Sequence, residues 1–187
     1  QNYKGLLQCD GYAGYDAVAS MNPSITLAGC LAHVRRKYFD AQLNDKKRSE
    51  HVLQLLQNIY LKEREIREEA TIEERLRFRQ EHTAEKLYEL KAYIEEEAYK
   101  VTPKSNIGKA ISYTLKQWPK ILQILSNGEL LLDNNMIENK IRPLALGRKN
   151  YLFAGSHDAG QRIAMMYSFF GTCAAHNVNP YHWLKST

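Results

Sequence analysis

The chain has no long hydrophobic run: nothing in it approaches the roughly 18 apolar residues that would cross a bilayer, which reads as a soluble protein with no membrane partner. Cysteine is scarce. Cys9, Cys30 and Cys173 are odd in number and far apart, which argues against a disulfide framework. There are no internal repeats and no low-complexity segment, so solenoids and disordered tails are set aside. The chain starts Gln1-Asn2-Tyr3, with neither an initiator Met nor a signal-like stretch, and is expected to be a piece of a longer cytosolic protein.

What is present is enough for a core. With 187 residues, 44% of them hydrophobic, the chain can form one domain, or one domain with a large insertion. The net charge of +5 is unevenly spread. Residues 31–48 carry six basic and two acidic side chains, and residues 101–187 carry ten and four. Residues 49–100 reverse the balance, with nine against thirteen. Basic flanks around acidic side chains that could form a site suit a polyphosphate partner, nucleic acid before nucleotide.

Tyr3 to Cys9 is a short apolar run leading to Asp10-Gly11, and predicts a buried strand with a carboxylate at its C-terminal end. An Asp there is commonly a turn former, but strand ends are also where α/β folds place reactive groups. Tyr12 to Ser20 predicts a short helix and Ser24 to Gly29 a second strand, parallel to the first. From Cys30 to about Asn44 the period becomes helical, with Leu31, Val34, Tyr38 and Ala41 on one face and Arg35, Arg36 and Lys37 beside it.

Residues 49–101 predict an antiparallel helical hairpin. Val52, Leu56, Ile59, Glu63, Ile66 and Ala70 mark one stripe, broken only by Glu63. Leu76, Thr83, Leu87, Leu90, Ile94 and Ala98 mark the other, with a capping box at Thr71 and Glu74 between them. The acidic face of the hairpin reads as solvated surface, or as an arm for dimer contacts. Thr102-Pro103 predicts the start of the next helix, and Ile107 to Leu125 continues as one helix or as two broken near Trp118-Pro119.

The densest stretch is LDNNMIENKIRPLALGRKNYLFAG, from Leu132 to Gly155. Asn135 and Glu138 have capping-box spacing, so a helix should start there. Met136 or Ile137, Ile141 and Leu144 should face a core, and Pro143 should kink or end the helix unless it begins late enough to tolerate the missing N–H. Glu138 and Arg142 stand one turn apart, which by itself describes a capped surface helix with an ion pair. Gly155 to Gly160 should be a loop. Ile163, Met166, Tyr167, Phe170 and Ala174 then predict an apolar helix in the core, with Trp183 as a packing anchor near the end. Tyr151 and Phe153 are read as core before base-stacking groups.

Three segments together resemble the IS66-type transposases, a group of DDE transposases with a ribonuclease-H-like catalytic fold. They are DNNMIENKIRPLALGRKNYLFAGS, QCDGYAGYD and GCLAHVRRKYFDA, in the family's order. The resemblance implies an α/β, mostly helical fold: an incomplete ribonuclease-H-like core (its last two strands and the helices after them) with a long all-α insertion. Residues 1–48 would be the first part of that core, 49–130 the insertion, and 131–187 the C-terminal helices. It also implies that Asp10 is the second catalytic aspartate and Glu138 the catalytic glutamate, both ligands of Mg²⁺ or Mn²⁺, with two ions in the intact protein. No residue here matches the first aspartate. Asp16 and Asp133 are further carboxylates outside the motifs.

Two such ions about 3.5–4 Å apart activate the attacking oxygen and stabilise the leaving one, which is what phosphodiester cleavage needs. Arg35, Arg36, Lys37, Arg142, Arg148 and Lys149 are the candidate contacts to DNA phosphates. At Asn139 the chain departs from the pattern, since many members have arginine there. The implied partners are transposon-end and target DNA, with a homo-oligomer in the active complex, in the bacterial cytoplasm at the nucleoid. The fragment alone is expected to be inactive. The competing readings are another ribonuclease-H-like nuclease and a non-catalytic DNA-binding or assembly module. Cys30, His33, Cys173 and His176 formally complete a zinc set, but packing and hydrogen bonding explain each pair better.

Overall fold

The computed structural model describes residues 3–187 and divides into two compact units, one ending at Asn134 and one running Asn135–Thr187. In the first, β1 (Gly5–Gln8) and β2 (Ile25–Ala28) form a two-stranded parallel sheet in register from Gly5 opposite Ile25 to Gln8 opposite Ala28. Helix α1 (Ala13–Met21) makes the crossover. This is the strand–helix–strand order read from the sequence, with each strand shortened by a residue or two at its ends and the helix shifted by one residue.

Helix α2 (Leu31–Ala41) buries Leu31, Val34, Tyr38 and Ala41, the four residues its period selects. Helix α3 (Lys46–Arg64) opens with the Asp45 carboxylate accepting from the Arg48 N–H and buries Val52, Leu55, Leu56 and Ile59. Ile66 and Ala70 fall beyond its end and are not buried, so the predicted stripe stops two turns early. The second arm begins with the expected Thr71–Glu74 capping box at α4 (Ile72–Phe78) and continues as α5 (Ala84–Ala98), where Leu87, Leu90 and Ile94 are buried.

Between α4 and α5 lies a π-helical turn, Arg79–Thr83, that periodicity does not reveal. The turn faces Glu63, the polar break in the first stripe. Arg79 is fully buried, its Nε donates to Glu63 Oε1 at 3.0 Å, and its Nη2 donates to the same carboxylate. A second Arg79 amino group donates to the Asn127 carbonyl at 3.4 Å. The wide turn brings one guanidinium inside where it meets both partners, as a buried charge requires.

Helix α6 (Asn106–Ile121) starts three residues after the predicted Thr102-Pro103. Ser105 is the cap, its Oγ accepting from the Gly108 N–H, and it holds Thr102 in the preceding turn by donating to the Thr102 carbonyl. The helix also runs unbroken through Pro119 and ends in a 3₁₀ turn, Leu122–Leu125. One core joins the sheet to these helices through Ala28, Val34, Leu56, Leu90, Ile111 and Ile121.

The second unit is three helices: α7 (Asn135–Tyr151), α8 (His157–Ala175) and α9 (Pro180–Ser186). Helix α7 starts where expected but is not ended by Pro143. Pro143 and Asn139, whose carbonyl loses its partner, are both exposed, so water can take that carbonyl. Its apolar side does not enter a core: Met136, Ile137 and Ile141 are more than half exposed. Phe170 in α8 is exposed too, and Cys173 is the unit's one buried residue among those described. The physical reason is that α8 and α9 pack on each other while α7 meets them too little to cover its stripe. Trp183 does anchor α9, its ring 5.0 Å from that of Phe169. The predicted loop to Gly160 is shorter, because Ser156 caps α8 by accepting from the Ala159 N–H.

Candidate functional site

Asp10 lies two residues beyond β1, half-exposed, and its Oδ1 accepts from the Tyr12 N–H at 2.9 Å. That bond fixes the carboxylate at the mouth of the sheet. Beneath the turn lies Tyr113 of α6, packed so closely on Gly11 that a Cβ there would sit 2.5 Å from the ring. Lys37 Nζ stands 5.4 Å from the centre of the same ring. Burial, then the nearby Asp10 charge, pushes the Tyr113 phenol up to about 12. The other carboxylate nearby is engaged, since Asp16 accepts from Lys120 Nζ at 2.5 Å.

On α2, Arg35, Arg36 and Lys37 are all exposed, between the buried Val34 and Tyr38. The cationic strip is therefore presented by a helix whose opposite face is locked into the core. Cys9 and Cys30 are buried, and burial raises both thiols above their ordinary range, which keeps them protonated at neutral pH. Cys30 Sγ and His33 Nδ1 lie 3.1 Å apart, within hydrogen-bond reach.

Residues 130–133 are held from three sides before the unit ends. Gln8 Nε2 donates to the Leu131 carbonyl at 2.7 Å and to that of Gly29 at 3.2 Å. The Leu31 N–H donates to the Leu132 carbonyl at 2.9 Å, and Leu130 and Leu132 are buried. Tyr60 of α3 donates its hydroxyl to Asp133 Oδ2 at 2.8 Å. Burial first, and then that carboxylate, hold the Tyr60 phenol well above its ordinary range. Asp16 and Asp133, the carboxylates outside the motifs, are thus both engaged.

In the second unit Glu138 is half-buried in the first turn of α7, where the helix N-terminus favours negative charge. Arg142, Arg148 and Lys149 are exposed further along, the last two in its final turn. Asn139 is exposed as well. Leu152 ends the helix in the left-handed region (φ 57°), and Phe153 after it is 77% exposed, so Phe153 is not the core residue expected; Tyr151 is also exposed. Cys173 and His176 belong to this unit and Cys30 and His33 to the first.

As a donor, Asp10 suits a hard divalent cation: a half-exposed carboxylate oriented by a main-chain N–H. It supplies one ligand, not a closed site. Among the described residues no three His, Cys, Asp or Glu side chains gather to hold an ion. All three cysteines are free thiols, and no described helix is long and apolar enough to cross a membrane.

A family model described as "Transposase IS66 family" matches residues 1–162. Three proteins of Sinorhizobium fredii (strain NBRC 101917 / NGR234), the uncharacterized proteins y4jD, y4qI and y4hP, are each 33% identical over 97–99% of this chain. The chain spans 35–37% of their length. No solved structure matches it.

Proposed function

We propose, from the premise that this chain belongs to the transposase IS66 family, that it forms the C-terminal part of a DDE-type catalytic domain. In the intact protein that domain cleaves DNA at a transposon end and joins the freed 3′-OH to target DNA. The observation that carries this reading is Asp10, oriented by a main-chain N–H at the C-terminal mouth of a parallel strand beside an exposed cationic helix face. Residues 1–48 and 131–187 then belong to a ribonuclease-H-like core, and 49–130 is a helical insertion into it.

Asp10 and Glu138 are the two carboxylates this chain contributes, with a third from outside it. They would hold Mg²⁺ or Mn²⁺, which supplies charge neutralisation at phosphorus and a more acidic attacking hydroxyl. The protein's own work is positioning and electrostatics. Arg35, Arg36 and Lys37 on α2, and Arg142, Arg148 and Lys149 on α7, bind phosphates and fix register without reading bases. The exposed Phe153 next to Arg148 and Lys149 suits stacking on an unpaired base. The acting species is a homo-oligomer that brings two transposon ends together.

The test is cleavage and strand transfer by the full-length protein on DNA bearing a transposon end. Asp10→Asn and Glu138→Gln are each expected to slow both steps by roughly a thousandfold or more while DNA affinity stays intact. Replacing Arg35 and Arg36 by Ala should weaken binding on all sequences and flatten its salt dependence. Full activity of either acid variant, or metal-dependent strand transfer by this chain alone, defeats the proposal.

A further inference from the structure

The Asp10 turn and the segment that leads into α7 are each braced by a tyrosine from outside residues 1–48 and 131–187. Tyr113 comes from α6, its ring against Gly11, and no side chain larger than hydrogen fits between them without displacing the ring or the turn. Tyr60 comes from α3, its hydroxyl donating to Asp133 two residues before α7 begins. Both rings are half-buried and sit on helices locked into the main core by buried residues close in sequence: Ile59 next to Tyr60, and Ile111 and Thr114 around Tyr113.

Both tyrosines pack against the rim of that core rather than within it. The core is already filled by Leu56, Ile59, Leu90, Ile94 and Ile111, and both phenols reach past it to loops. A hydroxyl aimed at a carboxylate on a segment leaving the fold is a directional restraint. An aromatic edge beneath Asp10-Gly11 restrains the height of that turn in the same way. Lys37 over the outer face of Tyr113 completes the stack.

We infer that Tyr113 and Tyr60 are positioning residues, through which the helical insertion fixes the Asp10 turn and the departure point of the Glu138 helix. The inference rests on the two-acid reading above. It makes the insertion part of the site's construction, since a ligand held loosely loses both ion affinity and rate. Neither ring touches DNA or the ion; each acts through the backbone it supports.

The test uses full-length protein and reads Mn²⁺ affinity by calorimetry, alongside DNA cleavage, DNA affinity and thermal midpoint. Tyr60→Phe, which keeps the ring and loses only the hydroxyl, and Tyr113→Leu are expected to weaken Mn²⁺ binding roughly ten- to a hundredfold. Cleavage should fall in step, with DNA affinity unchanged. Tyr113→Phe keeps the ring against Gly11 and loses only the hydroxyl, so it should weaken Mn²⁺ binding less than Tyr113→Leu does. Should Tyr113→Leu lower the melting point sharply, Tyr60→Phe decides the matter, since removing one oxygen leaves packing intact. Wild-type Mn²⁺ affinity in Tyr60→Phe overturns the inference, as does a loss no larger than the fall in folded fraction. Asp10→Asn and Glu138→Gln serve as the reference. If they lose the ion and Tyr60→Phe does not, only this inference fails; if they too keep it, the two-acid reading fails first.

Discussion

Helices α2 and α7 carry the same kind of message and meet opposite surroundings. Each has an apolar stripe at helical spacing beside a basic row. In α2 the stripe is wholly buried, and Leu31, Val34 and Tyr38 pack with α3 and α6 in one core. In α7 no residue is buried, and Ile141 is 55% exposed. Periodicity tells which side of a helix is fit to be covered. Whether it is covered depends on what other surface folds nearby, and the first unit has a sheet and five other helices to offer where the second has two.

The most damaging change should come from the feature that separates the units most sharply, the buried pair in the first. Arg79→Met leaves Glu63 without its cation and is expected to cost about 3–5 kcal/mol, read by chemical denaturation. Adding Glu63→Gln should recover much of it; an additive double variant would mean that the two side chains do not act as a pair. Next comes the core itself: Leu90→Ala is expected to cost about 2–5 kcal/mol.

A smaller, graded loss is expected in acid. Bonding to Lys100 and Arg48 holds the Glu97 carboxyl below its ordinary range, and bonding to Arg48 does the same for Asp45. A depressed carboxylate stabilises the fold above its unfolded pKa and loses that contribution as pH falls through its folded value. The melting point should therefore be flat near neutrality and decline below the ordinary carboxylate range, more steeply in wild type than in Glu97→Gln. Parallel curves would remove Glu97 from the account. The smallest effect should be Ile141→Ala in α7, within about 0.5 kcal/mol because the side chain already meets water. A loss as large as that of Leu90→Ala would erase the contrast between the two helices.

Much of the first unit could be read ahead of any coordinates. The strand–helix–strand opening, the buried face of α2 and the capping box at Thr71 all follow from local rules that act within a few residues. The misreadings share a cause as well. Thr102-Pro103 and Ser105 are both plausible helix starts, and the choice fell to Ser105, whose hydroxyl satisfies Gly108 and Thr102 together. Pro119 leaves one helix or two open and Pro143 reads as a kink or stop unless the helix starts late, and both helices pass through them. Glu63 looked like a flaw in a stripe because its partner, sixteen residues on, becomes visible only once the π turn turns Arg79 inward.

The acids and the cationic rows were legible as residue types at telling positions; Tyr60 and Tyr113 were not. They lie in the helical stretch 49–130 and carry no motif. Their importance arises because helix packing sets one hydroxyl against Asp133 and one ring edge beneath Gly11.

The order of residues was thus enough to settle family, helical character and the faces suited to burial, because those depend on chemistry repeated every few positions. Which faces found cover, which carboxylates of the first unit entered ion pairs and which distant tyrosines brace the acid-bearing segments were decided by tertiary structure. Those outcomes depend on contacts between residues far apart in the chain, and no local pattern encodes a contact whose other half lies fifty or a hundred positions away.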